Sequence, residues 1–441
     1  MSDNTPSVGE GAAKLGAPKA LVLGLQHMFA MFGATVTVPL ITGLDIGTTH
    51  LMAGAGTLLF HLLTGGRVPA FLGSSFAFLG GYAAIAPRLA DGSANAEMLP
   101  YACLGVACSG LVYLVLAAAI KAFGVKRVMR CFPPIVTGPI IVSIGLILAP
   151  VAVGSCKGNW LLALVALVVI AVCNIWGRGM VKILPILIGL AVSYALACCL
   201  GEVDFSKISE AAWIGFPVHK AQTVLGVDFK DGAQIWNAII AIVPIALATI
   251  MEHIGDISAI SSTVGKDFIK DPGLHRTLTG DGLATTFASL FGGPANTTYG
   301  ENTGVLALSR VFNPVVIRVA AVFAILLSFC PKFAALISTI PGPIVGGISF
   351  VLYGMISAVG IRNLVENKVD FSKSRNLIIA AVILVTALGG VTLPIGNTGA
   401  SLTPLALASL AGIVLNAIFP AGDYAARAAE GEPPKGNTFE V

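Results

Sequence analysis

The sequence predicts an all-α polytopic membrane protein of fourteen transmembrane segments in an inverted 7+7 repeat. Spans 3 and 10 are expected to be broken into a short antiparallel β-strand plus a half-helix. Three observations lead there: the apolar composition, the sidedness of the basic residues, and three sequence echoes between the halves. Hydrophobic residues make up 56% of the 441-residue chain, charged residues only 11%, and the mean hydropathy is +0.89. Soluble domains carry about 25% charged residues, so a water-soluble globule is excluded.

Apolar runs long enough to cross about 30 Å of hydrocarbon, roughly 17–25 residues as a helix, recur along the chain. They place spans near 19–42, 48–65, 69–87, 99–120, 133–154, 159–177, 183–201, 233–257, 277–292, 294–309, 313–330, 340–360, 376–392 and 400–419. The first seventeen residues are polar, without the apolar stretch of a signal peptide, and the tail from Asp423 is charged and rich in Gly and Pro. The C-terminal tail is expected to be disordered, and both tails cytoplasmic.

With fourteen spans and a cytoplasmic N-terminus, 20 of the 26 Lys and Arg residues fall on the cytoplasmic side. The six others are Arg88, Lys157, Lys207, Lys220, Lys230 and Lys332. This is the asymmetry of the positive-inside rule, and a miscount by one span would erase it. The net charge of +4 thus reflects topology and gives no sign of a nucleic-acid partner. The eight cysteines lie mostly within apolar spans, with no CxxC or Cys/His spacing that would suggest a metal site. They read as small apolar side chains.

The echoes define the repeat. Gln26-His27 in span 1 matches Glu252-His253 in span 8, "SSFA" at 74–77 matches "TTYG" at 297–300, and "PIVTG" at 134–138 matches "PIVGG" at 343–347. Each pairs span n with span n+7. Because seven is odd, the second half enters the membrane from the opposite side. Transporters built this way bind cargo near the midplane, where interrupted helices meet.

Spans 3 and 10 are the interrupted ones. "PAFLGSSFAF" and "GGPANTTYGENTG" both open with Pro, Gly and small hydroxyl residues and become helix-like only later. An extended residue advances about 3.3 Å against 1.5 Å in a helix, so strand plus half-helix still spans. Extended backbone in a bilayer must be hydrogen-bonded within the protein. The stretches near 70–76 and 294–299 are therefore expected to pair antiparallel. A half-helix starting near Tyr299–Glu301 then points free N–H groups at the protein's centre.

Ionisable groups within spans cost about 2.5–3.5 kcal/mol each and are usually functional. Three stand out here. Glu252 and Asp256, four apart in "MEHIGD", share a helical face, and Glu301 sits at the half-helix opening, where the dipole favours negative charge. A buried carboxylate can hold a proton near neutral pH, which offers a route to proton coupling. Carboxylate acceptors facing backbone donors suit a neutral planar solute with N–H and carbonyl groups, and they disfavour anions. Phe76 and Tyr299 could add aromatic faces or simply pack. His253 points about 100° away from Glu252 around the helix and reads as a supporting residue. Asp281, at the start of span 9, reads as a helix-end group, and Asn302 as a hydrogen-bonding link between the broken elements. The serines Ser74 and Ser75 with His253 lack a GxSxG context, and hydrolase chemistry is set aside.

"LQHMFAMFGATVTVP", "FLGSSFAF", "EHIGD", "KDPGLHR" and "GGPANTTYGENTGVLALSRV" together resemble the nucleobase–ascorbate transporter family, most of all its bacterial uracil-transporting branch. The similarity runs from about residue 19 to 420, in order. "ENTGVLALSR" matches the family signature, with Ser309 where Thr is usual. The resemblance implies proton-coupled uracil uptake across the bacterial cytoplasmic membrane by an elevator-like movement in a homodimer, with no cofactor besides the coupling proton. The implied division is a cytoplasmic tail (1–18), a core domain of spans 1–4 (19–125) and 8–11 (232–332), a gate domain of spans 5–7 (126–202) and 12–14 (333–420), an extracytoplasmic loop (203–231) and a C-terminal tail (421–441). It also implies that Glu252 and Glu301 bind the nucleobase, with backbone help at Gly300 and Phe76 and with Tyr299 and Tyr353 at or near the site. Glu252, Asp256 and Glu301 would handle protons, and His253, Asn302, Ser75, Thr298 and Asp281 would support them. Two departures open a second reading. Asp256 stands where the uracil branch has His, and with Asp281 it looks like the xanthine and urate branch, which usually has Gln where this chain keeps Glu301. A purine-base symporter on the same fold is the alternative. An anion exchanger or channel of similar architecture is more remote.

Overall fold

The computed structural model describes residues 16–89, 93–129, 132–394 and 401–419, apart from the side chains of Lys126, Met129, Ile183, Glu301 and Leu308. Most of both expected tails lies outside these residues. The described chain is predominantly helical. Helix α1 (Ala17–Thr42) ends at Gly43, whose φ of 86° provides a left-handed cap. Helix α2 (Ile46–Leu63) starts where the Asp45 carboxylate accepts the Thr48 N–H at 2.6 Å. After strand β1 (Leu72–Ser74) and the short α3 (Leu79–Ile85), the chain forms α4 (Leu99–Phe123), α5 (Pro134–Cys156), α6 (Trp160–Trp176) and α7 (Pro185–Cys199).

The second half opens with α8 (Gly232–Ile242), which passes through a tight turn containing Pro244 into α9 (Ala246–Val264). Then come α10 (Leu274–Leu290), strand β2 (Asn296–Thr298), α11 (Gly300–Ser309) and α12 (Pro314–Ser328). Helix α13 (Pro331–Ser338) follows, bent 85° from α12. Helices α14 (Gly342–Glu366), α15 (Ser374–Leu388) and α16 (Pro404–Ile418) complete the chain. Proline opens α5, α7, α12, α13 and α16, a position where its missing N–H costs nothing. Spans 3 and 10 are broken as expected. Sequence reasoning did not anticipate α13, nor the small hairpin pairing Leu393-Pro394 with Ser401-Leu402. Among the described residues, six helical stretches are individually long and apolar enough to cross a membrane, or seven with α12 and α13 joined.

Packing sorts the helices into two neighbourhoods. Helix α2 lies against α10 and α12, and α4 against α8 and α10, while α5 packs on α14 and α15, and α14 on α6. Small residues allow the closest approaches. A Cβ on Gly145 of α5 would meet the Tyr353 carbonyl of α14 at 2.1 Å, so only glycine fits there.

Strands β1 and β2 cross within the first neighbourhood. They pair antiparallel, Leu72 opposite Thr298, Gly73 opposite Thr297 and Ser74 opposite Asn296. The ladder extends through Ser75 N–H to Ala295 O and Tyr299 N–H to Phe71 O, both 2.9 Å. An unpaired edge here would be costly, because no water reaches it. Two threonines close the edges. The Thr57 hydroxyl of α2 donates to Leu72 O at 3.1 Å and accepts Leu72 N–H at 2.9 Å, and the Thr285 hydroxyl of α10 donates to Asn296 O at 2.6 Å.

Candidate functional site: the strand crossing and the opening of α11

Strand β2 runs almost directly into a short helix, and β1 reaches one after four residues, so the crossing positions the chemistry. Strand β2 turns at Tyr299, whose backbone is extended and whose side chain makes no cap, into α11 at Gly300. The first-turn N–H groups of α11 are thus left for other acceptors. Glu301 lies in this turn by its backbone.

Helix α9 presents Asp256 to the opening. Its Oδ2 accepts the Thr298 hydroxyl at 2.9 Å, and its Oδ1 lies 3.5 Å from where a Cβ on Gly300 would sit. Glu252, one turn earlier on the same face, is half-buried, as is Asp256. The next residue, His253, faces the other way into the protein, its ring edge-on to Phe60 with centroids 6.4 Å apart. Its Nδ1 lies 3.2 Å from Asp281 Oδ2 and 3.4 Å from the Thr298 hydroxyl. The Asp281 side chain is fully buried, so this residue belongs to the interior and not to a solvent-facing helix end.

Tyr299 lies beneath the crossing. The residue is 5% exposed, and its hydroxyl donates to Ser74 O at 2.9 Å, with Ser74 Oγ at 3.0 Å and Thr35 Oγ1 at 3.3 Å. In this position it braces β1. Asn302 donates through Nδ2 toward His27 Nδ1 at 3.2 Å and His27 O at 3.3 Å, tying α11 to α1. Phe76, just past β1, meets Tyr353 of α14 edge-on, with centroids 6.4 Å apart. This contact joins the crossing to the second neighbourhood. The buried Ser75 Oγ, Asn302 Oδ1 and Thr303 Oγ1 have no hydrogen-bond partner among the described residues. Buried polar atoms are usually paired, and these lie on segments flanking the crossing.

The structure thus gathers Asp256, Thr298 and Gly300 around the α11 opening, with Glu252 on the adjoining face and His253 behind Thr298 beside Asp281. Phe76 and Tyr353 form a separate pair. Sequence reasoning gave no site role to His27, Thr35, Thr57 or Thr285. The signal for His27 was its place in the echo with His253, whereas the threonines stood out in no way from other hydroxyl residues in apolar spans. Among the described residues, no three His, Cys, Asp or Glu residues are grouped as a metal site.

Comparison with known proteins agrees with this architecture. The Permease family profile matches residues 18–396. The uracil permease of Bacillus caldolyticus is 43% identical over 417 residues, covering 92% of this chain and 93% of that protein. The uracil permease of Escherichia coli (strain K12) is 40% identical over 412 residues, covering 91% of each chain. Among solved structures, the transmembrane domain of the cyanobacterial bicarbonate transporter BicA aligns with a TM-score of 0.58 at 16% identity, covering 90% of this chain and 96% of that one. SLC26A9 aligns at 0.63 and 14% identity, covering 90% of this chain and 64% of that one. At such identities the likeness concerns the fold. The chain is a membrane permease, not an enzyme, and it belongs to the nucleobase–ascorbate transporter family that includes the bacterial uracil permeases.

Proposed function

We propose that this permease takes up uracil across the cytoplasmic membrane together with a proton, by alternating access. The observation that carries the reading is the strand crossing, which sets the Glu252–Asp256 face of α9 beside the uncapped opening of α11. Carboxylate acceptors beside backbone donors suit a neutral ring with N–H and carbonyl edges. Glu252 and Glu301 would accept the ring N–H groups, while Gly300 and the backbone near Phe76 donate to its carbonyls. Tyr353 would close the site from α14. The high identity to proteins named uracil permeases supports uracil as cargo.

Fourteen spans in an inverted 7+7 repeat, with both termini cytoplasmic, underlie the mechanism. The strand register supports the repeat. The two strands pair so that Ser74 and Thr297, matched in the echo, lie one register step apart, near a two-fold axis. Thr57 and Thr285, on spans 2 and 9, cover opposite strand edges in the same sense. The neighbourhood around α1, α2, α4 and α8–α12 would act as the core that carries cargo, and that around α5–α7 and α14–α16 as the gate. Movement of core against gate in a homodimer would break and remake contacts such as Phe76–Tyr353.

The purine-base alternative rests on Asp256 and on the buried Asp281 beside His253. Anion exchange is disfavoured, despite the shared fold with a bicarbonate transporter, because two carboxylates on one α9 face repel anions. Equilibrium binding to the purified protein tests the cargo. Uracil is expected to bind and to be displaced poorly by xanthine or urate, and displacement by xanthine alone would favour the purine branch.

A further inference from the structure

We infer that the Thr298 hydroxyl is a proton bridge between Asp256 and a sealed His253–Asp281 pair, and that this bridge couples the proton to cargo. The inference rests on the proton-coupled reading above and adds where the proton is kept. Thr298 Oγ1 is in contact with both sides, 2.9 Å from Asp256 Oδ2 and 3.4 Å from His253 Nδ1. The two sides differ sharply in access. Asp256 is half-buried on the face that adjoins the α11 opening, whereas the side chains of His253 and Asp281 are 0% exposed. The Asp281 carboxylate faces His253 Nδ1 at 3.2 Å and the backbone N–H of Thr298. A buried carboxylate gains from an opposite charge beside it, so the pair favours taking up a proton. Other titratable groups around the pair are Glu252 on α9 and Tyr113 on α4, whose hydroxyl donates to Thr249 Oγ1 at 2.6 Å.

The transfer balances simply. A proton arriving on Asp256 Oδ2 passes to Thr298 Oγ1 as the threonine's own hydroxyl proton moves to the lone pair of His253 Nδ1. The threonine ends unchanged, His253 becomes an imidazolium beside the Asp281 carboxylate, and Asp256 is left ionised. No charge is created, and the sealed site gains a neutral ion pair in place of a lone negative charge. Asp256 is then a stronger acceptor at the cargo opening. Reversal after release returns the proton to Asp256 and to water.

The test compares wild type, Thr298→Val and Thr298→Ser in proteoliposomes. Two readouts are used: uracil counterflow, which needs no net proton movement, and uracil accumulation driven by an inward proton gradient. Valine keeps the β-branched shape suited to a strand but cannot relay, and serine can. Coupling of two ligands commonly amounts to roughly 5- to 150-fold. Measured against each protein's own counterflow rate, whatever that rate is, the gradient should enhance wild-type and Thr298→Ser uptake within that range and leave Thr298→Val nearly unenhanced. Wild-type enhancement in Thr298→Val overturns the bridge, as does parallel loss of counterflow and accumulation, which would mark a structural role. Wild-type uptake indifferent to the gradient would instead remove the proton-coupled reading itself.

Discussion

Substituting Gly73 by alanine probes the crossing most sharply. An alanine Cβ there would lie 2.5 Å from Cε2 and Cζ of Tyr299 and 2.8 Å from its hydroxyl oxygen. Carbon atoms rest at about 3.5–4.0 Å, so strand or ring must yield by about 1 Å. The ring is not free to swing, because its hydroxyl donates to Ser74 O at 2.9 Å and touches Ser74 Oγ and Thr35 Oγ1. Overpacking costs about 1–3 kcal/mol, and stranding a buried polar group costs about 1–3 kcal/mol more. The combined burden of about 2–6 kcal/mol must appear as lost stability or as a displaced crossing. Displacement matters because β2 leads directly into α11 at Gly300. Thermal unfolding in detergent and uracil binding by the same samples read both. Gly73→Ala should melt lower and bind uracil at least about tenfold more weakly, the equivalent of about 1.4 kcal/mol. Adding Tyr299→Leu should restore part of the melting temperature by removing the ring that clashes. A Gly73→Ala protein with wild-type melting and binding, or a double variant no more stable than the single, would refute the role given to Tyr299 as a brace.

Further outcomes follow from the same geometry. Glu252→Gln and Glu301→Gln should each reduce uracil uptake severely while circular dichroism and melting remain near wild type, and normal uptake by both would remove the site. Asp256→His should retain more gradient-driven uptake than Asp256→Ala if the position handles protons, and equal activities would argue that it does not. Thr57→Val and Thr285→Val leave the strand-edge carbonyls of Leu72 and Asn296 without their hydroxyl donors. Each should cost about 1–3 kcal/mol of stability, measured by unfolding, and an unchanged melt in either variant would show that its edge is satisfied another way.

Much of the fold was legible because the bilayer imposes length and polarity on every span. The broken spans were readable for the same reason, since "GSSF" and "NTTY" are too polar and too rich in small residues for lipid-facing helix. Their pairing at 72–74 and 296–298 falls within the stretches expected from sequence. Side-chain direction was less accessible. Tyr299 follows three strand residues, and whether its ring faces cargo or the strand beneath depends on the pleat and on the space that Gly73 leaves. Asp281 reads as a helix end when span 9 is placed near 277–292, yet α10 begins at Leu274 and already carries it into the interior beside His253. Thr298 was expected only as a supporting residue, and its link between Asp256 and His253 depends on contacts more than forty residues apart in sequence. Helix α13 is too short for a span, and its 85° bend from α12 leaves no trace in hydropathy.

The central claim is proton-coupled uracil uptake, and flux into proteoliposomes measures it directly. Radiolabelled uracil should accumulate under an inward proton gradient and leak back when a protonophore collapses that gradient. Unlabelled uracil should compete strongly, and xanthine, urate and adenine weakly. Uptake indifferent to the gradient, or blocked by xanthine in preference to uracil, would contradict proton-coupled uracil symport.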